Sequence, residues 1–449
     1  MIIKPRLAGK RRAGAGAVSP PPGAGNRYNF ADPRRPVHVK PFPIEQVRAQ
    51  FPALDNPAVY LDNPAGTQVP RQVSAAVAAA MCDAASNLGG YFQASQAADA
   101  IYERAHEAMA ALLGGASGRE IVIGQSMTML TFQMSRSLGR QWGPGDELIV
   151  TQMDHEGNVS PWLRLAEDRG MTVRWLPVNR DSWRIEPAEL APLLNGRTRL
   201  LALNYASNMT GSINPVAELA RLARQAGALV YVDAVQFVPH GKADVAALGC
   251  DFLACSAYKF FGPHLGVLWG REALLAETYA YAVRCAPQAP PGRHETGTPQ
   301  TELLAGVAAA ADYLAWLGEL TGASGSLADR IAGAYQAATA YEMPLAQRLI
   351  DGLGTIPGVE VRGITDGRQL ARRVPTVSFT HRDHRNSALA RALAAQGINV
   401  WSGHNYALEL ARRLGLDEKE GVLRIGLAHY NTADEIERTV SALRALLRT

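Results

Sequence analysis

Two ionisable residues at the ends of apolar runs open the chemical reading. Asp233 closes the apolar part of ALVYVDAVQ (228–236), where a carboxylate is costly to bury without a positive partner. Lys259 ends a second apolar run, FLACSAYK (252–259), beside Ser256 and Gly262. A lysine in such a place tends to lose its charge and become a nucleophile. Together the two could hold a carbonyl cofactor as a Schiff base and keep a pyridine nitrogen protonated, the arrangement pyridoxal phosphate requires. Spacing alone favours the plainer alternative, a surface lysine and a helix-capping aspartate.

Chemistry of that kind needs a rigid sheet behind it, and the surrounding pattern supplies one. Short apolar runs recur at ELIVTQ (147–152), MTVRWLPV (171–178), TRLLALNYAS (198–207) and LGVLWGR (265–271), besides the two above. Helical stretches lie between several of them, notably at 215–225. Such runs, buried on both faces and separated by helices, predict a mostly parallel α/β sheet. Residues 45–58 read as a short helix and a loop, 93–113 as a helix, and 301–317 as a long Ala/Leu-rich helix. Beyond about residue 340 the pattern becomes a smaller α+β unit. There VEVRGI (359–364), TVSFTH (376–381) and GVLRIGLAHY (421–430) read as strands. SALARALAAQG (387–397) reads as a helix closing at Gly397, and 432–448 as a helix with a Thr432 cap and acids in its first turn. The expected organisation is a disordered basic tail at 1–44, a large domain at 45–315, a helical connection at 316–339 and a small C-terminal domain at 340–449.

Composition narrows the class. The chain has 449 residues, 47% hydrophobic and 19% charged, enough to bury a core without disulfide or metal staples. Four cysteines without close pairs (Cys82, Cys250, Cys255, Cys285) exclude a disulfide scaffold and a zinc ribbon, and no metal site is expected. They point to a reducing compartment, hence the cytoplasm. No apolar run of transmembrane length is expected, and the start lacks the apolar stretch of a secretory signal. Residues 1–40 hold nine Lys/Arg and one acid, Asp32, for a net +8; the remainder holds 36 basic and 40 acidic residues, for a net −4. A basic arm can neutralise phosphates. An unstructured extension, or a start codon placed too far upstream, explains it more simply, so no nucleic-acid or membrane partner is expected.

The segment 230–266 resembles the cysteine desulfurase-like group of aminotransferase class V, fold-type I pyridoxal-phosphate enzymes. That family has D-x-x-Q ahead of S-x-x-K, with H-x-x-x-D-V between. Here these are Asp233 and Gln236, Ser256 and Lys259, and His240 with Asp244 and Val245. The likeness extends over about 45–449. YLDNPAGTQVP (60–70), DHEGNVSPW (154–162), SNMTGSINPV (207–216), ETGTPQ (295–300) and LRIGLAHYNT (423–432) each resemble a family element. The resemblance implies a large domain with a mostly parallel, seven-stranded type of sheet, a small α+β domain and pyridoxal 5'-phosphate as cofactor.

It also implies roles. Lys259 would carry the cofactor and shuttle the Cα proton. Asp233 would keep the pyridine nitrogen protonated. Gln236 and Asn208 would bond the ring oxygen, and His155 would stack on the ring. Ser126 and Met127, at the head of a helix in GQSMTML, would hold the phosphate, with a further hydroxyl from Ser256. Thr298 would reach the phosphate of a second subunit, implying a homodimer with shared active sites. Arg424 would grip the carboxylate of an amino-acid substrate, and Asn63, His404 and Tyr406 would face that substrate.

Two departures from the family pattern bear on the reaction. The histidine of S-G-H-K is replaced by Tyr258, so a phosphate contact becomes a phenol or is lost. The mobile cysteine of R-x-G-x-x-C-A, which accepts sulfur in a desulfurase, is replaced by Tyr406 in NVWSGHNYALEL (399–410). A phenol cannot carry a sulfane sulfur. The first expectation is therefore a C–S β-lyase acting on cysteine or an S-substituted cysteine. Alternatives are a class V aminotransferase or epimerase of a small amino acid, a desulfurase using Cys285, and a cofactor-binding regulator without turnover. Specificity is expected to come from the loops at 87–96, 284–295 and 401–406.

Overall fold

The computed structural model describes residues 41–448. The basic arm at 1–40 lies outside them, as does nearly all of the tail expected at 1–44. Its last residues are described: Phe42 stacks on Tyr341 with centroids 4.3 Å apart, and a helix begins at Ile44.

A seven-stranded sheet carries the large part of the molecule. Across it run Ile121–Gly124, Gly266–Gly270, Phe252–Ser256, Leu229–Asp233, Thr198–Asn204, Glu147–Thr151 and Thr172–Leu176. All pair in parallel except Gly266–Gly270, which is antiparallel to both neighbours. Side chains alternate between two cores, as a two-residue period dictates. Leu201, Leu203, Val230 and Val232 face one core; Leu200, Ala202 and Tyr231 face the other. The first core is covered by the helices Arg71–Asp83, Gln93–Leu113 and Thr301–Leu320. The second is covered by Met127–Leu138 and Ser160–Arg169.

Burial on both faces fails at Thr172–Leu176, which is partly exposed because it is the sheet edge. The Ala/Leu-rich helix runs over Thr301–Leu320. Its length and mean hydropathy of 1.3 suffice, by composition, to cross a membrane, and 67% of that window is buried inside the protein. It therefore has the burial of a core helix.

A four-stranded antiparallel sheet follows, ordered Trp401–Gly403, Val422–Gly426, Thr376–His381, Val359–Arg362. Its own core includes Leu349, Val377, Phe379, Leu423 and Ile436. The connection expected at 316–339 is the end of Thr301–Leu320 and the first half of Leu327–Gly354, a 28-residue helix that continues past 340. The helix expected at 387–397 stops at Ala394, and Gly397, at φ 70°, instead turns the chain into Ile398–Asn399. That two-residue strand pairs in parallel with Val59–Tyr60 and so clasps the N-terminal segment to the small sheet.

Candidate active site

Three neighbouring parallel strands end in polar residues: Asn204, Asp233 and Ser256. The carboxyl ends of parallel strands are where α/β sheets bind ligands. Here they open into a cavity of about 600 Å³. His155, Asn208, Gln236, Tyr258, Lys259, His404, Tyr406 and Arg424 line it, as do Ser126 and Met127. Twelve of the fourteen candidate residues thus meet in one place.

Asp233 stops its strand by accepting the Val235 N–H at 2.9 Å, so the apolar run ends three residues early. Burial pushes its carboxyl up to about 6, with Lys259 pulling it back. A cation placed against it would restore the charge. Lys259 follows Ser256 on a short turn and donates to the Pro64 carbonyl. Burial lowers its amine to about 7, and the nearby Arg424 charge acts in the same direction. The Tyr258 ring lies 4.8 Å from its Nζ and stacks on His264 at 4.6 Å.

His155 accepts the Gly157 N–H on Nδ1 at 2.9 Å, and burial holds the imidazole neutral, lowered to about 4. Its ring stacks on Tyr406 at 5.3 Å. Arg424 donates to the Asn208 carbonyl at 2.9 Å, and burial lowers the guanidinium to about 10, still charged at neutral pH. Gln236 donates to Thr376 at 3.0 Å, and Asn208 to the Asn405 carbonyl at 2.7 Å. Three buried polar atoms around the cavity have no hydrogen-bond partner among the described residues: Asn208 Oδ1, Arg424 Nε and Asp62 Oδ1.

The phosphate end is built differently. Ser126 caps the helix Met127–Leu138 by accepting the Met129 N–H at 3.2 Å. The first N–H groups of a helix have no internal acceptor and carry its positive dipole end. Gly266 lets the neighbouring strand approach this turn; a Cβ there would lie 2.2 Å from the Ser126 carbonyl carbon. These residues fit pyridoxal phosphate. When it is bound, Asp233 would face the pyridine nitrogen, the helix start and the Ser256 hydroxyl would take the phosphate, Asn208 and Gln236 would serve the ring oxygen, and Lys259 would take the aldehyde.

Two candidates lie elsewhere. The Asn63 amide is buried and committed to the Gly426 carbonyl at 2.8 Å, Asn431 at 3.1 Å and Tyr430, and does not line the cavity. Thr298 lines a second cavity, with Gln133 and Arg136 of the helix Met127–Leu138. Cys285 is exposed and lines neither.

Several site residues escaped the sequence reading. Asn204 ends an apolar run as Asp233 does, so the same signal marked it. Asp154, beside His155, is fully enclosed and held by Asn158 at 2.7 Å and by Thr151; burial pushes it up to about 8. Trp401 was marked only as the start of the loop 401–406, and its register opposite Arg424 is what brings it to the cavity.

The chain matches the family model for aminotransferase class-V over residues 59–439. An aminotransferase-like protein, FGM3, of Gibberella zeae is 34% identical, with 90% of this chain and 99% of the relative covered. A cysteine desulfurase of Serratia proteamaculans is 31% identical over 90% of this chain and 98% of its own. Among solved structures, the cysteine desulfurase CsdA of Escherichia coli superposes with a TM-score of 0.79 at 30% identity, covering 91% of this chain and 99% of that one. The cysteine desulfurase of Thermococcus onnurineus gives 0.81 at 26% identity, covering 90% and 98%. With the lysine, aspartate and helix start in place, the chain belongs to aminotransferase class V and is a pyridoxal 5'-phosphate-dependent enzyme of its cysteine desulfurase-like branch.

Proposed function

We propose that this enzyme cleaves the C–S bond of cysteine or an S-substituted cysteine by β-elimination, releasing a thiol, pyruvate and ammonia. The observation that carries the reading is the absence of a cysteine from the cavity. Tyr406 occupies the wall where the desulfurase pattern has its thiol. Cys250 and Cys255 are buried core residues, and burial pushes the Cys250 thiol up to about 12. Cys82 and Cys285 are exposed and line no part of the cavity. Elimination needs no protein thiol. The cysteine desulfurase relatives support cysteine or a derivative as substrate.

Pyridoxal phosphate, when bound, supplies an electron sink that acidifies the Cα proton of an amino acid. Everything else falls to this chain. Arg424 holds the substrate carboxylate with a two-pronged guanidinium. Lys259, with an amine neutral near pH 7, takes the Cα proton. Asp233 holds a proton at the pyridine nitrogen. His155, neutral and flat, covers one face and excludes water. Tyr406 or His404 delivers a proton to the departing sulfur. Thr298 serves the same site only if a second copy presents it, so the working unit is a homodimer, which sedimentation of the full chain tests.

The reaction is tested by mixing cofactor-loaded enzyme with L-cysteine, L-cystine and S-methyl-L-cysteine and measuring pyruvate, thiol and sulfide together. Pyruvate is expected in equal amounts with sulfide from cysteine, thiocysteine from cystine and methanethiol from S-methylcysteine, unchanged in Cys285→Ala. Alanine with sulfane sulfur, lost in that variant, would instead establish a desulfurase. A changed visible band with neither product would point to transamination or epimerisation, which the aminotransferase-like relative makes the second reading.

A further inference from the structure

The cavity carries two aromatic rings that elimination does not require. Trp401 and Tyr406 both line it, and both stay open to solvent, 51% and 65% exposed. Trp401 stands directly opposite Arg424 in the antiparallel pair of the small sheet. Opposed residues project to the same face with Cβ atoms about 4.5–5.5 Å apart. The indole therefore flanks the guanidinium on its cavity side. Tyr406 extends the wall, with its ring 5.3 Å from His155 and 6.0 Å from His404. Asn405 and Tyr406, at φ 51° and 60°, hold a left-handed backbone that residues other than glycine disfavour. In the R-x-G-x-x-C-A pattern the places of Trp401 and Tyr406 hold an arginine and a cysteine; here both are aromatic. Lys419 and Glu418 complete the rim, and Glu418 is held by Arg412 at 2.7 Å.

We propose that Trp401, with Tyr406, is a specificity site for a large apolar or aromatic substituent on the substrate sulfur. The proposal rests on the β-elimination reading. A cysteine S-conjugate seated by its carboxylate on Arg424, with its Cα at Lys259, sends its sulfur substituent toward the mouth. There the indole offers a stacking face, and a cavity of about 600 Å³ has room for an added ring. The chemistry balances without a further reactant. For S-benzylcysteine the Cβ–S bond breaks, the sulfur leaves with the bond pair and gains a proton, and one water converts the remainder to pyruvate and ammonia.

The test compares S-benzyl-, S-methyl- and S-(2-carboxyethyl)-L-cysteine on the cofactor-loaded enzyme. It uses kcat/KM for pyruvate release and Kd from the visible band. Wild type is expected to favour the benzyl substrate over the methyl one at least about tenfold. Trp401→Ala should lower the benzyl-to-methyl ratio of kcat/KM at least about fivefold, and Trp401→Phe should restore the ratio, since a ring remains. Equal handling of benzyl and methyl substrates, a preference for the carboxyethyl substrate, or a preference unchanged in Trp401→Ala would overturn the proposal. If no substrate yields pyruvate but the Kd preference appears and vanishes in Trp401→Ala, the elimination reading fails and the specificity site stands.

Discussion

Lys259 shows how burial prepares a residue for its task. At an ordinary value of 10.5, roughly one amine in three thousand is neutral at pH 7. Lowered to about 7, about half are. Only the neutral amine attacks an aldehyde, so recombination of apoenzyme with pyridoxal phosphate should speed up about tenfold per pH unit below 7 and level off above 8. Stopped-flow absorbance across pH 5.5–10 would show this. A rate still climbing between pH 9 and 10 would mean the lysine keeps its solution value. The sign follows from the cause: removing water penalises the ammonium, and Asp233 only partly offsets that penalty. Asp233 and Lys259 stand out in the sequence as charges at the ends of apolar runs, but that signal alone favours a capping aspartate and a surface lysine, and the family resemblance is what marks them as site residues. Asn63 shows the limit of that logic. Its motif placed it near the substrate, yet its amide is spent on holding Gly426 and Asn431.

At the level of elements, the phosphate end depends on how closely a strand passes the start of a helix. Gly266 makes that approach possible, because a Cβ would meet Ser126 and Met127 backbone at 2.2–2.4 Å. Backbone cannot swing aside as a side chain can. Gly266→Ala should therefore weaken pyridoxal phosphate binding by about tenfold, about 1.4 kcal/mol, while leaving phosphate-free pyridoxal little affected. Equal losses for both ligands would place the damage in the sheet instead of the helix start. The strands of the large sheet were legible in the sequence because burial on both faces leaves continuous apolar runs. Ile121–Gly124 was missed, being four residues long and separated in sequence from the antiparallel strand that holds it. Run ends were overestimated at Asp233, where a side-chain turn ends the strand and local apolar character continues. For Trp401 the sequence marked the loop 401–406, while its position opposite Arg424 was out of reach, since register between strands is a property of the assembled sheet.

Across the whole molecule, the two sheets are tied by a buried carboxylate. Glu342, fully buried in the helix Leu327–Gly354, bonds His240 from the large sheet's side at 2.9 Å and lies 3.7 Å from His429 beyond the last strand of the small one. His429 in turn meets the Tyr313 hydroxyl at 2.7 Å. Removing one member of a buried pair strands the other, so Glu342→Ala should cost about 3 kcal/mol of unfolding free energy. Urea denaturation with an unchanged slope would report it, and a loss below about 1 kcal/mol would show the link to be minor. The clasp between Val59–Tyr60 and Ile398–Asn399 has another consequence, one of timing. Lys259 leaves the ribosome while Arg424 and the strand that closes over Pro64 do not yet exist. At typical synthesis speeds the interval is roughly 10–30 s. Throughout it the nascent chain carries Lys259 without Arg424 or the strand Val422–Gly426. A chain released within that interval would hold the reactive lysine with nothing to direct it.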